Sequence, residues 1–175
     1  MTGLWSTPVG ETFDFAGEHY TLSGAPALPK PRQEHMPIIV GGGGPRRTPE
    51  IAARFATEFN IGFRPKSEIA EAFARVREAC ERIDRDPATV KLSVALPTIA
   101  APDAATLSRR AEATGRSLQQ FRDGSNICGD ATEVVAKVGR LIDLGAQRVY
   151  FQTVDMRDLD QTAYLGEEVL PQLPR

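Results

Sequence analysis

The chain has 175 residues, of which 41% are hydrophobic and 25% charged, a composition that supports one globular domain with a buried core. Its formal net charge is -2, with cations and anions nearly balanced, so no basic field points to nucleic acid or to an anionic membrane. No apolar run has the length of a membrane span and residues 1–5 lack a signal-peptide pattern, which makes a cytoplasmic location the expectation.

Leu4 and Trp5 read as the end of a truncated helix, with Met1 as an internal start. Phe13 and Phe15 precede Ala16-Gly17-Glu18, and Tyr20 and Leu22 follow it, the pattern of a β-hairpin. A proline-rich connector over residues 26–37 then leads to the first of four strand–helix units. Residues 1–35 therefore stand apart from residues 36–175, whose repeating strand-then-helix order builds parallel sheets. The first unit pairs a strand at 37–40 with a helix over 48–57, whose Ile51, Ala52, Phe55 and Ala56 share one face. The second has a strand at 59–63 and a helix from Ser67 whose Ile69, Phe73, Val76, Cys80 and Ile83 form one stripe, stopped before Pro87. In the third, Val90, Leu92, Val94 and Leu96 alternate with small or polar residues until Pro97 interrupts the strand. Asp103 caps the helix carrying Leu107 and Ala111, and a short helical stretch at 117–121 runs into a loop at 123–126. Asp130 with Glu133 forms a capping box for the longest helix, buried through Val134, Val138, Leu141 and Ile142 and closed by Gly145. The fourth strand is 148–153, and a last helix over 161–170, capped by Asp160, ends at Pro171.

The stretch from Pro37 to Pro49 carries the chemistry. Ile38, Ile39 and Val40 form a buried parallel strand, Gly41, Gly42, Gly43 and Gly44 form a loop, and Thr48 caps a helix with Pro49 at its first position. Four glycines let backbone N–H groups approach an anion, the helix N-terminus adds partial positive charge, and Arg46 and Arg47 add forked donors for phosphate oxygens. A flexible turn flanked by solvated arginines is the competing reading. Asn60 ends the next strand and is a candidate to face a ligand there; Gln152 and Asp155, at the last strand, are weaker candidates. Phe59, Phe63, Tyr150 and Phe151 read as core. The two cysteines, Cys80 and Cys128, read as reduced thiols, Cys80 in the core, and with His19 and His35 they form no set at zinc-ligand spacing. Four units fit half of a (β/α)8 barrel or an open doubly wound sheet, and spacing does not choose between them.

The glycine run through Thr48-Pro49, Ala52-Ala53-Arg54-Phe55-Ala56, Phe59-Asn60, and the segments 15–20, 129–135, 145–152 and 158–160 together resemble the luciferase-like monooxygenase superfamily. Within it they are most similar to the branch of oxidoreductases that use the deazaflavin coenzyme F420. The resemblance covers essentially the whole chain and implies the C-terminal half of a TIM (β/α)8 barrel, strands five to eight, preceded by a β-hairpin insertion. It further implies hydride transfer with coenzyme F420, or alternatively FMN, whose phosphate rests on Gly41–Gly44, Arg46, Arg47 and Thr48, with Asn60 beside it. A small-molecule substrate, and a homo-oligomer or a complementary half-barrel chain, are the implied partners. No catalytic residue carries over, because the family's first four strands supply most substrate contacts; the other function class is a non-catalytic half-barrel that oligomerises and binds a phosphate-bearing ligand.

Overall fold

A computed structural model of the chain describes residues 1–123 and 125–174 and divides into two compact units, Met1–Met36 and Pro37–Arg175. The first unit holds a short helix, α1 (Thr2–Ser6), and an antiparallel hairpin of β1 (Phe13–Ala16) and β2 (Thr21–Ala25), bulged between Phe13 and Phe15. Asp14 locks the hairpin by accepting a hydrogen bond from the Gly24 N–H at 2.7 Å.

The second unit is a parallel sheet of β3 (Ile39–Gly41), β4 (Glu58–Gly62), β5 (Lys91–Ala100), β6 (Ile127–Gly129) and β7 (Arg148–Thr153). Its helices are α2 (Arg47–Phe55), α3 (Lys66–Glu81), α4 (Ala104–Ala113), α5 (Leu118–Asp123), α6 (Ala131–Asp143) and α7 (Leu159–Tyr164). The architecture is α/β, and the four strands expected from the sequence lie side by side in the order β3, β4, β5, β7. The fifth, β6, falls where a loop was expected to lead straight into the longest helix. Along one edge of β5, β4 pairs with residues 91–95 and β6 with 98–100; residues 93–98 pair with β7 on the opposite edge.

Alternation along the strands separates two faces. Phe59, Ile61, Leu92, Val94 and Leu96 belong to the main core cluster with Ile69, Phe73, Val76 and Cys80 of α3, and the partly buried Val40 packs against it. The opposite face carries the lateral row Gly41, Asn60, Ser93 and Arg148, and beneath it Glu58. Glu58 is almost fully buried, accepting from Arg148 Nη1 at 2.7 Å and from the Tyr150 hydroxyl at 2.8 Å, so a carboxylate at the foot of the sheet keeps both partners.

Several local expectations are corrected. β5 runs unbroken through Pro97, which falls between the last β4 partner at Ala95 and the first β6 partner at Thr98, so on that edge its missing N–H removes no ladder bond. Ile51 and Phe55 are exposed; the buried side of α2 is made of Ala52 and Ala53, small enough for close approach to the sheet and α3. Ile83 is exposed because α3 ends at Glu81, Ile142 sits at the margin of its helix's buried stripe, and Phe63, beyond β4 at φ +57°, points to solvent. The last helix begins earlier than expected, with Asp158 rather than Asp160 accepting from the Gln161 N–H at 2.8 Å, and winds through a π turn (Leu165–Val169) and a 3-10 turn (Leu170–Gln172) at Pro171. The caps at Asp103 and Asp130–Glu133 form as expected.

Candidate functional site

The glycine loop leaves the C-terminal end of β3. Gly41 is level with Asn60, and the Gly42 N–H donates to the Asn60 carbonyl at 3.3 Å, tying the start of the loop to β4. Among the described residues, the Gly43 and Gly44 N–H groups have no protein partner. Two of the glycines are required for physical reasons. Gly42 has φ +131°, a backbone conformation that side chains disfavour, and a Cβ on Gly44 would come within 2.7 Å of the Thr48 Oγ1.

Thr48 does not cap the helix. α2 begins at Arg47, with Arg46 in the cap position and no side-chain cap, and Pro49 is its buried third residue. The Thr48 hydroxyl instead folds back over the loop, close to Gly44 and Gly42, where it closes one wall. Arg46 turns away to Glu50 at 3.4 Å on the surface, and Arg47 is exposed at the first turn. Asn60 is anchored by donating from Nδ2 to Ser93 Oγ at 2.9 Å, and the serine hydroxyl in turn donates to the Phe59 carbonyl at 3.2 Å. Its Oδ1 has no protein partner among the described residues and belongs to the open face of the sheet.

One contributor was missed. A Cβ on Gly43 would meet the Arg64 Nε at 3.2 Å, so the guanidinium lies across the loop; its Nη1 meets Glu68 at 3.4 Å. The available signal was a basic residue in the turn after the adjacent strand, Gly62-Phe63-Arg64-Pro65. A second concentration of positive charge lines a cavity of about 390 Å³ where Arg122, Lys137 and Arg140 meet Cys128 and Glu133. Burial, reinforced by the charges of Lys66 and Arg140, pulls the Lys137 ammonium below its usual pKa, whereas a bound anion would favour its charged form. Arg122 pairs loosely with Glu133 at 3.7 Å, and that glutamate is already spent on the α6 capping box. No spacing in the sequence joins these residues, which come from α5, β6 and α6.

The remaining candidates lie apart from the loop. Gln152 and Asp155 are exposed at and beyond the end of β7, and Asp155 is occupied in accepting from the Arg157 N–H at 2.9 Å. His19 and His35 are exposed in the first unit. Around the glycine loop the side chains are mostly donors, with Glu68 and Glu50 each paired to an arginine, an arrangement chemically suited to an anion.

The luciferase-like monooxygenase family matches residues 1–170. The chain belongs to this family. Among solved structures, an F420-dependent secondary alcohol dehydrogenase in complex with an F420-acetone adduct superposes with a TM-score of 0.80 at 16% identity, over 99% of this chain and 59% of that one. The coenzyme F420-dependent tetrahydromethanopterin reductase of Methanopyrus kandleri gives 0.75 at 16% identity, over 99% and 60%. The oxygenating constituent of 3,6-diketocamphane monooxygenase from Pseudomonas putida, in complex with FMN, gives 0.66 at 15% identity, over 94% and 59%. At these identities the likeness is one of fold, and the luciferase-like chain spans about 60% of the length of the F420-dependent reductase. Among the described residues, no helix is long and apolar enough to cross a membrane.

Proposed function

We propose that this luciferase-like chain supplies the cofactor-holding part of an oxidoreductase, a cytoplasmic C-terminal half-barrel whose glycine loop receives the phosphate of coenzyme F420 or, as the alternative, of FMN. The observation that carries the reading is the loop itself: two N–H groups without protein partners among the described residues, one glycine at a φ that side chains disfavour and one whose Cβ would crowd Thr48, and a threonine hydroxyl and the Arg64 guanidinium drawn over it. When bound, the cofactor supplies the hydride chemistry; Gly43, Gly44, Thr48, Arg47 and Arg64 hold its anionic end, and Asn60 presents Oδ1 on the same side of the sheet. Its partners in this reading are a small-molecule substrate and the remaining strands of the barrel.

The test is titration of the purified chain with F420 and with FMN, read by fluorescence and calorimetry. Saturable binding of one of them is expected, and binding of neither overturns the proposal. A forked, charge-assisted contact contributes about 1.5–3 kcal/mol, so Arg47→Ala or Arg64→Ala is expected to weaken binding about tenfold or more. Lysine at either position should restore only part, because it keeps the charge and loses the fork. Arg109→Ala serves as control: its guanidinium is exposed on α4 against Thr106, and less than about a twofold change is expected there. Equal weakening by all three variants would reduce the effect to general electrostatics.

A bulky residue in the loop gives a separate prediction. Gly42→Val imposes a branched side chain on a φ of +131° and narrows the loop against Thr48. Lost cofactor binding with an unchanged far-UV circular dichroism spectrum is expected, and unchanged affinity would move the anion site away from the loop.

A further inference from the structure

The basic cavity beside α6 shares no residue with the glycine loop, and all of its walls come from residues 122–140. Its volume of about 390 Å³ lies within the range of small-molecule sites, about 300–1,000 Å³. Glu133, Ala136, Lys137 and Arg140 line it from one flank of α6, beside the buried stripe of Val134, Val138 and Leu141. Arg122 enters the same space from α5, and Cys128 of β6 adds a thiol. Asn126 holds the turn between α5 and β6 by donating from Nδ2 to the Phe121 carbonyl at 2.8 Å. Three cations and one carboxylate thus face one cavity, which leaves two positive charges uncompensated. Glu133 Oε2 lies 3.7 Å from Arg122 Nη2 while accepting from the Asp130 N–H at 3.0 Å, so the one acid is shared with the helix cap. Lys137 and Arg140 make no ion pair among the described residues. Burial first, and then the charges of Lys66 and Arg140, disfavour the Lys137 ammonium, a penalty that an anion in the cavity relieves.

We propose that this cavity is a second anion site, which binds a small-molecule phosphomonoester. Such a dianion matches the two uncompensated charges, and its three terminal oxygens offer an acceptor to each of the two guanidinium forks and to the ammonium; a carboxylate has only two. The cavity is larger than a bare phosphate fills, and its uncharged wall, Ala136 and Cys128, is where the organic part of the ligand lies. Bound there, the ligand bridges Arg122 of α5 to Lys137 and Arg140 of α6. Because the two anion sites have no residue in common, this test and the cofactor titration stand or fall separately.

Cys128 makes the cavity its own reporter, since it lines the space whereas the other thiol, Cys80, is completely buried in the core. The experiment follows alkylation of both cysteines of the purified chain by iodoacetamide, a neutral reagent, using peptide mass spectrometry and glycerol 3-phosphate as the probe. Saturable slowing at Cys128 is expected, with Cys80 unmodified throughout. Sodium chloride at matched ionic strength, the monoanion dimethyl phosphate, and succinate, which carries its two charges on carboxylates, are each expected to protect far less. Arg140→Gln should raise the half-protecting concentration about tenfold or more. Glu133→Gln should lower it, because glutamine keeps the capping box and removes the cavity's only acid among the described residues. Arg64→Ala, beside the glycine loop, should leave it unchanged. No protection by glycerol 3-phosphate overturns the proposal, and so does equal protection by any of the three comparison solutes. Weaker binding in Glu133→Gln, or a loss in Arg64→Ala equal to that in Arg140→Gln, overturns the assignment of the site to this cavity.

Discussion

Arg110→Ala should destabilise the second unit by about 3 kcal/mol, close to a hundredfold in the folding equilibrium. The Arg110 side chain is only 10% exposed and grips Asp158 with both arms of its fork, Nε to Oδ2 at 2.6 Å and Nη2 to Oδ1 at 2.9 Å, while Nη1 donates to the Ala100 carbonyl. Asp158 in turn caps α7, and the first buried side chain of that helix, Gln161, accepts from the Ala100 N–H at 3.1 Å. One guanidinium thus fastens the C-terminal helix to the end of the central strand. Its removal leaves a largely buried carboxylate without its countercharge, which costs more than the pair itself contributes. The magnitude is set at the low end because Asp158 retains 19% of its side-chain exposure. Urea titration of parent and variant, monitored by circular dichroism, measures the difference.

The same pair predicts a pH dependence. The hydrogen bond from Arg110 holds the Asp158 carboxyl below its ordinary pKa of 3.8. A depressed folded-state pKa contributes stability that is present above the unfolded value and is lost as pH falls through the folded one. The gap between parent and Arg110→Ala is therefore expected to be full near neutrality and to narrow below pH 3.8. A gap that stays constant down to strongly acidic pH would remove the ion pair as the source of the effect.

Phe73→Ala is expected to cost about 3–5 kcal/mol. Its ring is completely buried in α3 and meets Phe59 of β4 edge to face, with centroids 6.3 Å apart, so truncation opens a cavity at the main contact between helix and sheet. Phe73→Leu, which keeps most of the volume, should cost clearly less. Because β4 also carries Asn60 and the anchor of the glycine loop, this variant separates loss of fold from loss of site. If residual folded protein still binds cofactor with parental affinity, Phe73 acts on the fold alone.

Helix starts were legible in the sequence wherever a side chain of fixed geometry made them. Asp103 and the Asp130–Glu133 box form as read, since a carboxylate three residues ahead of a free N–H has few other partners. The reading failed where lateral packing decides. β5 looked like an alternating strand broken by Pro97, yet nine of its ten residues are buried and the proline sits in the gap between two successive neighbours, which no local pattern encodes. β6 has three residues, too few for any periodicity to register. Ile51 and Phe55 satisfied helical spacing but face the open side of α2, because the side chains that meet the sheet there are alanines. At the candidate site the loop's position between strand and helix was legible, while the approach of Arg64 to Gly43 depends on two neighbouring turns 21 residues apart in sequence and became visible only in three dimensions.

The central strand also sets a timetable for synthesis. β5 is complete at residue 100, but the partner of its second edge ends only at Thr153, roughly fifty residues later. At about 5–20 residues per second, a ribosome needs about 3–10 s to deliver that stretch, and meanwhile a long apolar strand waits with one row of N–H and C=O groups unpaired. The bond from Arg148 to Glu58, ninety positions apart, has to wait for the same strand. The nascent chain is therefore most exposed to misassociation after α3 and β4 have gathered and before β7 arrives, the interval in which a holdase chaperone would have the most to bind.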